Sequence, residues 1–444
     1  MNAGTRSGWT ICVCLVSLLL LGLALPATMT TANQPDDNRI SYDLYAVTDH
    51  GRGYQPLDPL TLGDIEGAGP VTFNTDWPGV AISADGSTAV MIDPSHVPLE
   101  EWISVRDGLD GPERLAIDVE EAVYNPRLSA DGSRVIAWSS DYGCSPYGCG
   151  ERVFYTYDTR TGELISTVRV DLNYYVWPDM IDPAGERLYI PFYEAPPPPS
   201  YPATPTPPGI SETGPWPLQI AVYDLTTGKE IERITVPNVL AGTWRDITIT
   251  HSYASQVVRP AISLSPDGAT IAVVDAPMET LTLIDAGTLE VVATHAIRAS
   301  ESTTGRLLDW LGITPRIAAA KVSEGRSLTA SFSVDGRHLY LTGTEMAVGE
   351  TVEEFTGVGL GVTMIDMATG EIVRTALEDQ VVNGVIPSPD GRWVYVLSPE
   401  TPWWEEADGE VAGELLRRLD AGTLELLAER GFDVWPFIQL VLYP

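Results

Sequence analysis

Five histidines, His50, His96, His251, His295 and His338, are spread along the chain. No two stand in a His-x-His or His-Glu-x-x-His spacing that would place a pair of imidazoles on one metal. No Gly-x-Ser-x-Gly elbow presents a nucleophilic serine, and no P-loop or dinucleotide fingerprint is present. Carboxylates are abundant instead: Asp and Glu number 61 against 26 Lys and Arg, a formal charge of −35. In such a chain any pair chosen for acid–base work is arbitrary, and most acids read as a solvated surface that favours solubility or suits a saline, cation-rich setting. No EF-hand-like Asp spacing appears, although loop carboxylates leave room for weak calcium binding. No cofactor and no metal site is predicted. The charge also excludes a general nucleic-acid binder, because no basic patch interrupts it.

The cysteines are few. Residues 1–32 read as a secretory signal: Arg6 supplies the basic start, the stretch from Trp9 to Leu25 is apolar, and small residues follow around Ala27 and Ala32. Retention as an uncleaved membrane anchor is the competing reading, since the apolar run sits at the lower limit for a span. Cys12 and Cys14 lie inside this leader with no lipobox before them. Cys144 and Cys149 remain, and in an oxidising compartment they are expected to close a small disulfide loop worth about 2 kcal/mol. A redox or metal pair would need a further ligand, and none is near in sequence. The expected organisation is a leader over 1–32, a linker over 33–39 and one domain over 40–444, in a protein that is secreted or otherwise extracytoplasmic.

The elements that must position any site announce themselves by repetition. With 40 Gly and 35 Pro, the chain favours many short elements joined by turns. Six segments share a strand, a Ser-x-Asp-Gly-like turn and a second strand, with turn glycines Gly86, Gly132, Gly185, Gly268, Gly336 and Gly391. Glycine suits that step because a tight hairpin there needs a positive φ, and Asp or Ser before it can bond the turn backbone. A second hairpin alternates with the first, led by Asp58, Asp107, Asp158, Asp224, Asp285, Asp366 and Asp420. With strands named A to D, the first pattern is A–B and the second C–D, which leaves one A–B pair short. The stretch 40–48 fits a strand B and 437–443 fits a strand A. The expectation is an all-β, seven-bladed β-propeller whose ring closes by pairing the C-terminal strand A with the N-terminal strands B, C and D, leaving no open edge.

The repeated S-P/A-D-G and D-x-x-T-G-E/K steps resemble those of the YVTN/WD40-like repeat family of extracytoplasmic and surface propellers, over nearly all of the chain beyond the leader. The D-x-x-T-G-K step at Asp224 is similar to pyrroloquinoline-quinone enzyme repeats but lacks the tryptophan that follows there. The Ser-x-Asp-Gly turns also miss the sialidase Asp-box pattern. The family resemblance implies that A–B and C–D turns share one face of the disc and that B–C and D–A connections share the other. All length variation falls in the latter class: the Cys144–Cys149 loop, a Pro-rich insertion over 195–217, connections over 238–257, 345–359 and 398–413, and an insertion over 297–325 expected to hold a short amphipathic helix.

Insertions on a repeat scaffold are where function collects, so the decorated face is the expected working face. Tyr147, Trp216, Trp244, Trp403 and Trp404 map to its connections as candidate anchors for a protein or carbohydrate partner; local packing of each aromatic against the disc is the alternative. A second candidate set, Asp76, Trp77, Arg127, Trp177, Asp179, Arg259 and Trp435, is expected at A-strand entries around the channel mouth, where repeated Trp-Pro can equally serve as packing. The function expected is a binding or interaction module. A propeller enzyme, lactonase-like or the propeller subunit of a dehydrogenase with its site at the channel mouth, is the alternative.

Overall fold

The computed structural model describes residues 40, 42–48, 53–65, 68, 71–72, 79–93, 101–119, 123–140, 151–171, 178–194, 214–245, 255–275, 280–299, 323–348, 355–402, 413–432 and 440–443. The chain divides into two units, Met1–Ile40 and Ser41–Pro444. Among the described residues the second unit is built of strands without a helix.

Turn chemistry sets the strands. Ser265 Oγ donates to Asp267 Oδ1 (2.6 Å) and accepts the Thr270 N–H (2.9 Å), while Asp267 Oδ1 accepts the Ala269 N–H (3.0 Å). Gly268 between them has φ 72°, the left-handed conformation in which a Cβ is costly. The same hydroxyl–carboxylate pair recurs at Ser83–Asp85, Ser129–Asp131, Ser333–Asp335 and Ser388–Asp390. The copy that lacks serine solves the problem differently: Asp182 occupies the serine step and itself accepts the N–H groups of Glu186 and Arg187 at 2.7 and 2.9 Å. At the second kind of turn, Asp285 Oδ1 accepts the N–H groups of Gly287 and Thr288, an Asx-type closure. Asp58, Asp158, Asp224, Asp366 and Asp420 repeat it.

These hairpins join into antiparallel sheets. Four-stranded ones run Val80–Ile82, Ala89–Asp93, Glu101–Arg106, Glu113–Val119; Tyr124–Leu128, Arg134–Ser140, Glu151–Asp158, Leu164–Asp171; Ala261–Leu264, Thr270–Asp275, Thr280–Asp285, Val291–Ala296; and Gly384–Pro387, Trp393–Pro399, Glu414–Asp420, Leu426–Phe432. A further sheet orders Val71–Thr72, Gly53–Leu57, Asp43–Thr48 and Leu440–Tyr443, so the C-terminal strand pairs with the first strand, Asp43 opposite Tyr443 and Ala46 opposite Leu440. The remaining strands form one ten-stranded sheet, described below.

Middle strands are apolar on both faces, as expected where each sheet is sandwiched between two others. Along Thr270–Asp275, Ile271 and Val273 join a core with Met180, Tyr189 and Leu218, whereas Ala272 and Val274 join another with Leu328, Phe332 and Leu339. The outermost strand Val291–Ala296 instead alternates exposed and half-buried residues. Equivalent cores fill the successive gaps between the other sheets. A tyrosine recurs as a peg across these gaps: the hydroxyls of Tyr189, Tyr340 and Tyr395 donate to the carbonyls of Ala286, Ala421 and Pro59 in the C–D turn of the following sheet, at 3.1 to 3.2 Å. The Tyr395 peg reaches the N-terminal sheet, where its hydroxyl also meets that of Tyr42 at 2.7 Å. Antiparallel sheets of this kind, packed face to face in sequence, make the fold an all-β propeller.

The opposite ends of the strands are less uniform. Lys229–Arg245 runs past its sheet and pairs antiparallel with Ser255–Arg259, which pairs in parallel with Ser323–Phe332, Val258 opposite Arg326. His338–Val348 and Phe355–Asp366 overrun in the same way, Val348 opposite Phe355. These overruns weld Met180–Ile181, Arg187–Tyr193, Trp216–Asp224 and Lys229–Arg245 to Ser323–Phe332, His338–Val348, Phe355–Asp366 and Glu371–Ala376, with Arg298–Ala299 added at the edge, into the ten-stranded sheet. Much of 238–257 and 345–359, expected as loop, is therefore strand. The helix expected within 297–325 falls outside the described residues apart from its flanks, which are the strands Arg298–Ala299 and Ser323–Phe332.

Candidate functional site

Strands Tyr124–Leu128, Met180–Ile181 and Ala261–Leu264 are edge strands of their sheets; the first carries Arg127 and the second follows directly on Asp179. Counting two residues back from the serine (or Asp182) that opens each A–B turn gives Ala81, Arg127, Met180, Ser263, Ser331 and Ile386. Only Arg127 is charged. Its guanidinium reaches the next sheet, where Nη1 donates to the Asp179 carbonyl (2.8 Å) and Nη2 lies 3.3 Å from Asp179 Oδ2. From the other side Arg152 Nη1 stands 3.6 Å from Asp179 Oδ1, and the Arg152 guanidinium lies 4.0 Å over the Trp138 ring, a cation–π contact in a desolvated setting. The Asp179 side chain is 1% exposed, the Arg127 side chain 34%.

Asp179 therefore presents no free carboxylate to the channel, because both of its oxygens face guanidinium groups. The expected acidic rim is, in its described part, a buried acid covered by a half-exposed arginine. Arg259 is exposed at the end of Ser255–Arg259, opposite Ser327. Asp76, Trp77, Trp177 and Trp435 lie outside the described residues.

The insertion aromatics are placed unevenly. Trp216 is buried and stacks on Tyr193 with ring centroids 5.3 Å apart and planes 6° from parallel. It is a packing residue between its own sheet and the overrunning strand, where a Cβ on Gly242 would stand 2.6 Å from the indole. Trp244 belongs to the overrun itself, opposite Gln256. Tyr147, Trp403 and Trp404, and the cysteines Cys144 and Cys149, lie outside the described residues. Among the described residues no group of three or more His, Cys, Asp or Glu could hold a metal, and no helix is long and apolar enough to cross a membrane.

Sequence reasoning missed Arg152 and Trp138, which complete the Asp179 cluster, and it missed Asp275. Asp275 ends its strand on the side of Ile271 and Val273, is 1% exposed, and neither carboxylate oxygen has a hydrogen-bond partner among the described residues. Burial alone pushes its carboxyl up to about 6, as expected when the charged form loses water and gains nothing. Its only sequence signal was position: Asp93 stands at the same distance from its own turn glycine.

Two clefts of about 440 and 370 Å³ flank the turn at Asp131 on the short-turn side. Arg134, which lines the first of them, already donates to the Gly185 carbonyl and to Thr226 Oγ1, so its role there is to tie neighbouring sheets.

No family model matches the chain, and no curated protein matches it. Solved structures do. Hydrazine synthase of Kuenenia stuttgartiensis is 16% identical over 81% of this chain and 80% of its own, with a TM-score of 0.41. The β-propeller domain of Cps50 (Swd1) from Myceliophteria thermophila is 11% identical over 80% and 86%, with a TM-score of 0.43. The WD40 domain of Toxoplasma gondii coronin is 11% identical over 88% and 76%, also at 0.43. Likeness at this level carries no information about ligand or activity.

Proposed function

We propose that this chain is a seven-bladed propeller acting outside the cytoplasm as a non-catalytic binding module, through the face that carries the B–C and D–A connections. The blade count follows if the ten-stranded sheet is two blades, Met180–Arg245 and Ser323–Ala376, bridged by Ser255–Arg259. Closure is supported by the Tyr395–Pro59 hydrogen bond, which repeats the Tyr189–Ala286 and Tyr340–Ala421 bonds between consecutive sheets. The extracytoplasmic setting rests on the leader over 1–32, and the Cys144–Cys149 disulfide belongs to the same reading.

The observation that carries the function is the asymmetry of the two strand ends. At one end the turns are short and closed by their own Ser and Asp side chains. At the other, strands overrun their sheets, and the insertions read from the sequence are expected to lie there too, where a repeat scaffold varies its recognition surface. The test is capture of partners from the native secretome by the full chain and by two variants, one shortened within 196–212 and one shortened within 246–254. Loss of captured species in either variant, with an unchanged unfolding transition, supports the reading. An identical set captured by all three would place recognition elsewhere.

A further inference from the structure

Asp275 closes the central strand Thr270–Asp275 as a buried acid, both of whose oxygens lack a hydrogen-bond partner among the described residues. Within its own sheet the residues in register with it are Thr280 and, one strand further out, Ala296. On the inner side pairing stops at Ala261 opposite Val274, so the next step across from Asp275 is Pro260, which is buried and has no N–H to offer. The sheet across the gap brings Tyr193, Trp216, Val239 and Ala241 to the core that Ile271 and Val273 share. Tyr193 is the titratable group among these, and its ring is stacked on Trp216. Along the entering chain the charged neighbour is Arg259, which is exposed. Burial, unopposed by any charge, raises the Asp275 carboxyl to about 6.

The element at this end of the strand is the overrun. Lys229–Arg245 carries a left-handed residue at Asn238, φ 59°, and beyond it residues 242–245 pair with Ser255–Arg259 to make a two-stranded ribbon. Val239 and Ala241, at the root of that ribbon, share a core with Ile262, Ile271 and Val273. Asp275 is the next residue of its strand on the same face. The returning strand of the ribbon then runs through Pro260 directly into Ala261–Leu264. Its far edge is tied, among the described residues, by the two parallel pairs Val258–Arg326 and Arg259–Ser327. An ionised carboxylate held without a donor favours any opening that admits water, and the segment with the fewest ties opens first.

We infer that the ribbon of residues 242–245 and Ser255–Arg259 is a pH-dependent cover on the face that carries the overruns, closed while Asp275 is protonated and released when it ionises. The closed form holds the proton more tightly than the open one, in which a hydrated carboxyl titrates near its ordinary value of about 4. Opening therefore becomes easier as pH rises from about 4 to about 6 and levels off above that. The gap between those two values limits the gain in open population to about a hundredfold. Control of recognition by this cover rests on the binding-module reading. The opening itself does not, and its test uses no partner, so either can fail alone.

The test is amide hydrogen exchange of the full chain from about pH 4 to about pH 7, corrected for the intrinsic exchange rate. It is read on 242–245 and Ser255–Arg259, with the other overrun, 345–348 paired with 355–358, as the reference. Opening of the ribbon is expected to rise by tens of fold up to about a hundredfold toward neutral pH, with no matching rise in the reference. Asp275→Asn should abolish that rise. Asp275→Leu, which buries no polar atom, guards the comparison and should abolish it too. Ribbon exchange that tracks the reference at every pH, or a rise that survives in both variants, would overturn the inference. An equal rise at Ile271 and Ala272, in the middle of the sheet, would also overturn it, because the whole sheet and not the cover would then be opening.

Discussion

Asp131 and Asp275 are the same side chain in opposite circumstances. Asp131 sits at a short turn, where the Ser129 hydroxyl and the Ser133 N–H converge on one oxygen and hold its carboxyl below the usual range. Asp275 sits at the far end of a central strand, buried with no partner among the described residues, and is pushed up to about 6. The first is made by five consecutive residues, Ser129 to Ser133, and is repeated around the molecule. The second is made by the packing of one sheet on another and occurs without a local cue. The turn side is thus built from local chemistry that stabilises charge, whereas the opposite side tolerates a destabilising group, the pattern expected where selection acts on something other than stability.

The largest effect that would break this contrast lies at Asp275. Its folded pKa exceeds the unfolded value, so the folded chain binds the proton more tightly, and stability falls as pH rises from about 4 through about 6. Asp275→Asn removes that penalty. Urea unfolding should show the variant more stable than the parent by up to about 3 kcal/mol above pH 7, with the gain gone below about pH 4. Equal stability at neutral pH would mean the carboxylate has a partner after all.

Next in size is the tyrosine peg. Tyr395→Phe leaves the Pro59 carbonyl with Arg418 Nη1 as its remaining side-chain donor and takes from the Tyr42 hydroxyl the oxygen it donates to, and should cost about 1–3 kcal/mol in chemical denaturation. Tyr189→Phe, which loses the bond to Ala286, should cost about 1 kcal/mol. A cost for Tyr395→Phe well below that for Tyr189→Phe would argue that the terminal sheets meet differently from the internal ones.

The smallest expected effect belongs to one turn among many. Asp131→Ala frees the Ser129 hydroxyl and the Ser133 N–H, for a loss of about 1 kcal/mol. The sign of the pH dependence is opposite to that of Asp275. A depressed carboxyl stabilises above its unfolded pKa and loses that contribution as pH falls through the folded one, so the parent and Asp131→Ala should converge in acid. Divergence in acid would assign the turn's stability to something other than the carboxylate.

These contrasts also explain what could be read from the sequence. The A–B and C–D turns were legible because each is closed by side chains within five residues of one another, as at Ser265, Asp267 and Thr270. The overruns were misread as loops because Gly and polar residues in 238–257 and 345–359 hide strands that are stabilised by partners far away, Val258 against Arg326 for example. Arg127 and Asp179 were both singled out as rim residues, yet their pairing depends on two sheets meeting and no spacing encodes it. Trp216 looked like an exposed anchor for the same reason: its burial against Tyr193 requires the intervening insertion to return to the sheet.

The central claim is that the last strand completes the first sheet and so closes the ring. Cysteines placed at Asp43 and Tyr443, which face each other in the antiparallel pair, test it most directly, since opposed residues in such a pair lie within disulfide reach. The account predicts rapid oxidation to an intramolecular 43–443 disulfide, mapped by mass spectrometry on the folded chain, together with an increase in unfolding midpoint that is lost on reduction. Absence of that crosslink in the folded protein, with both thiols remaining free or pairing between molecules, would contradict it.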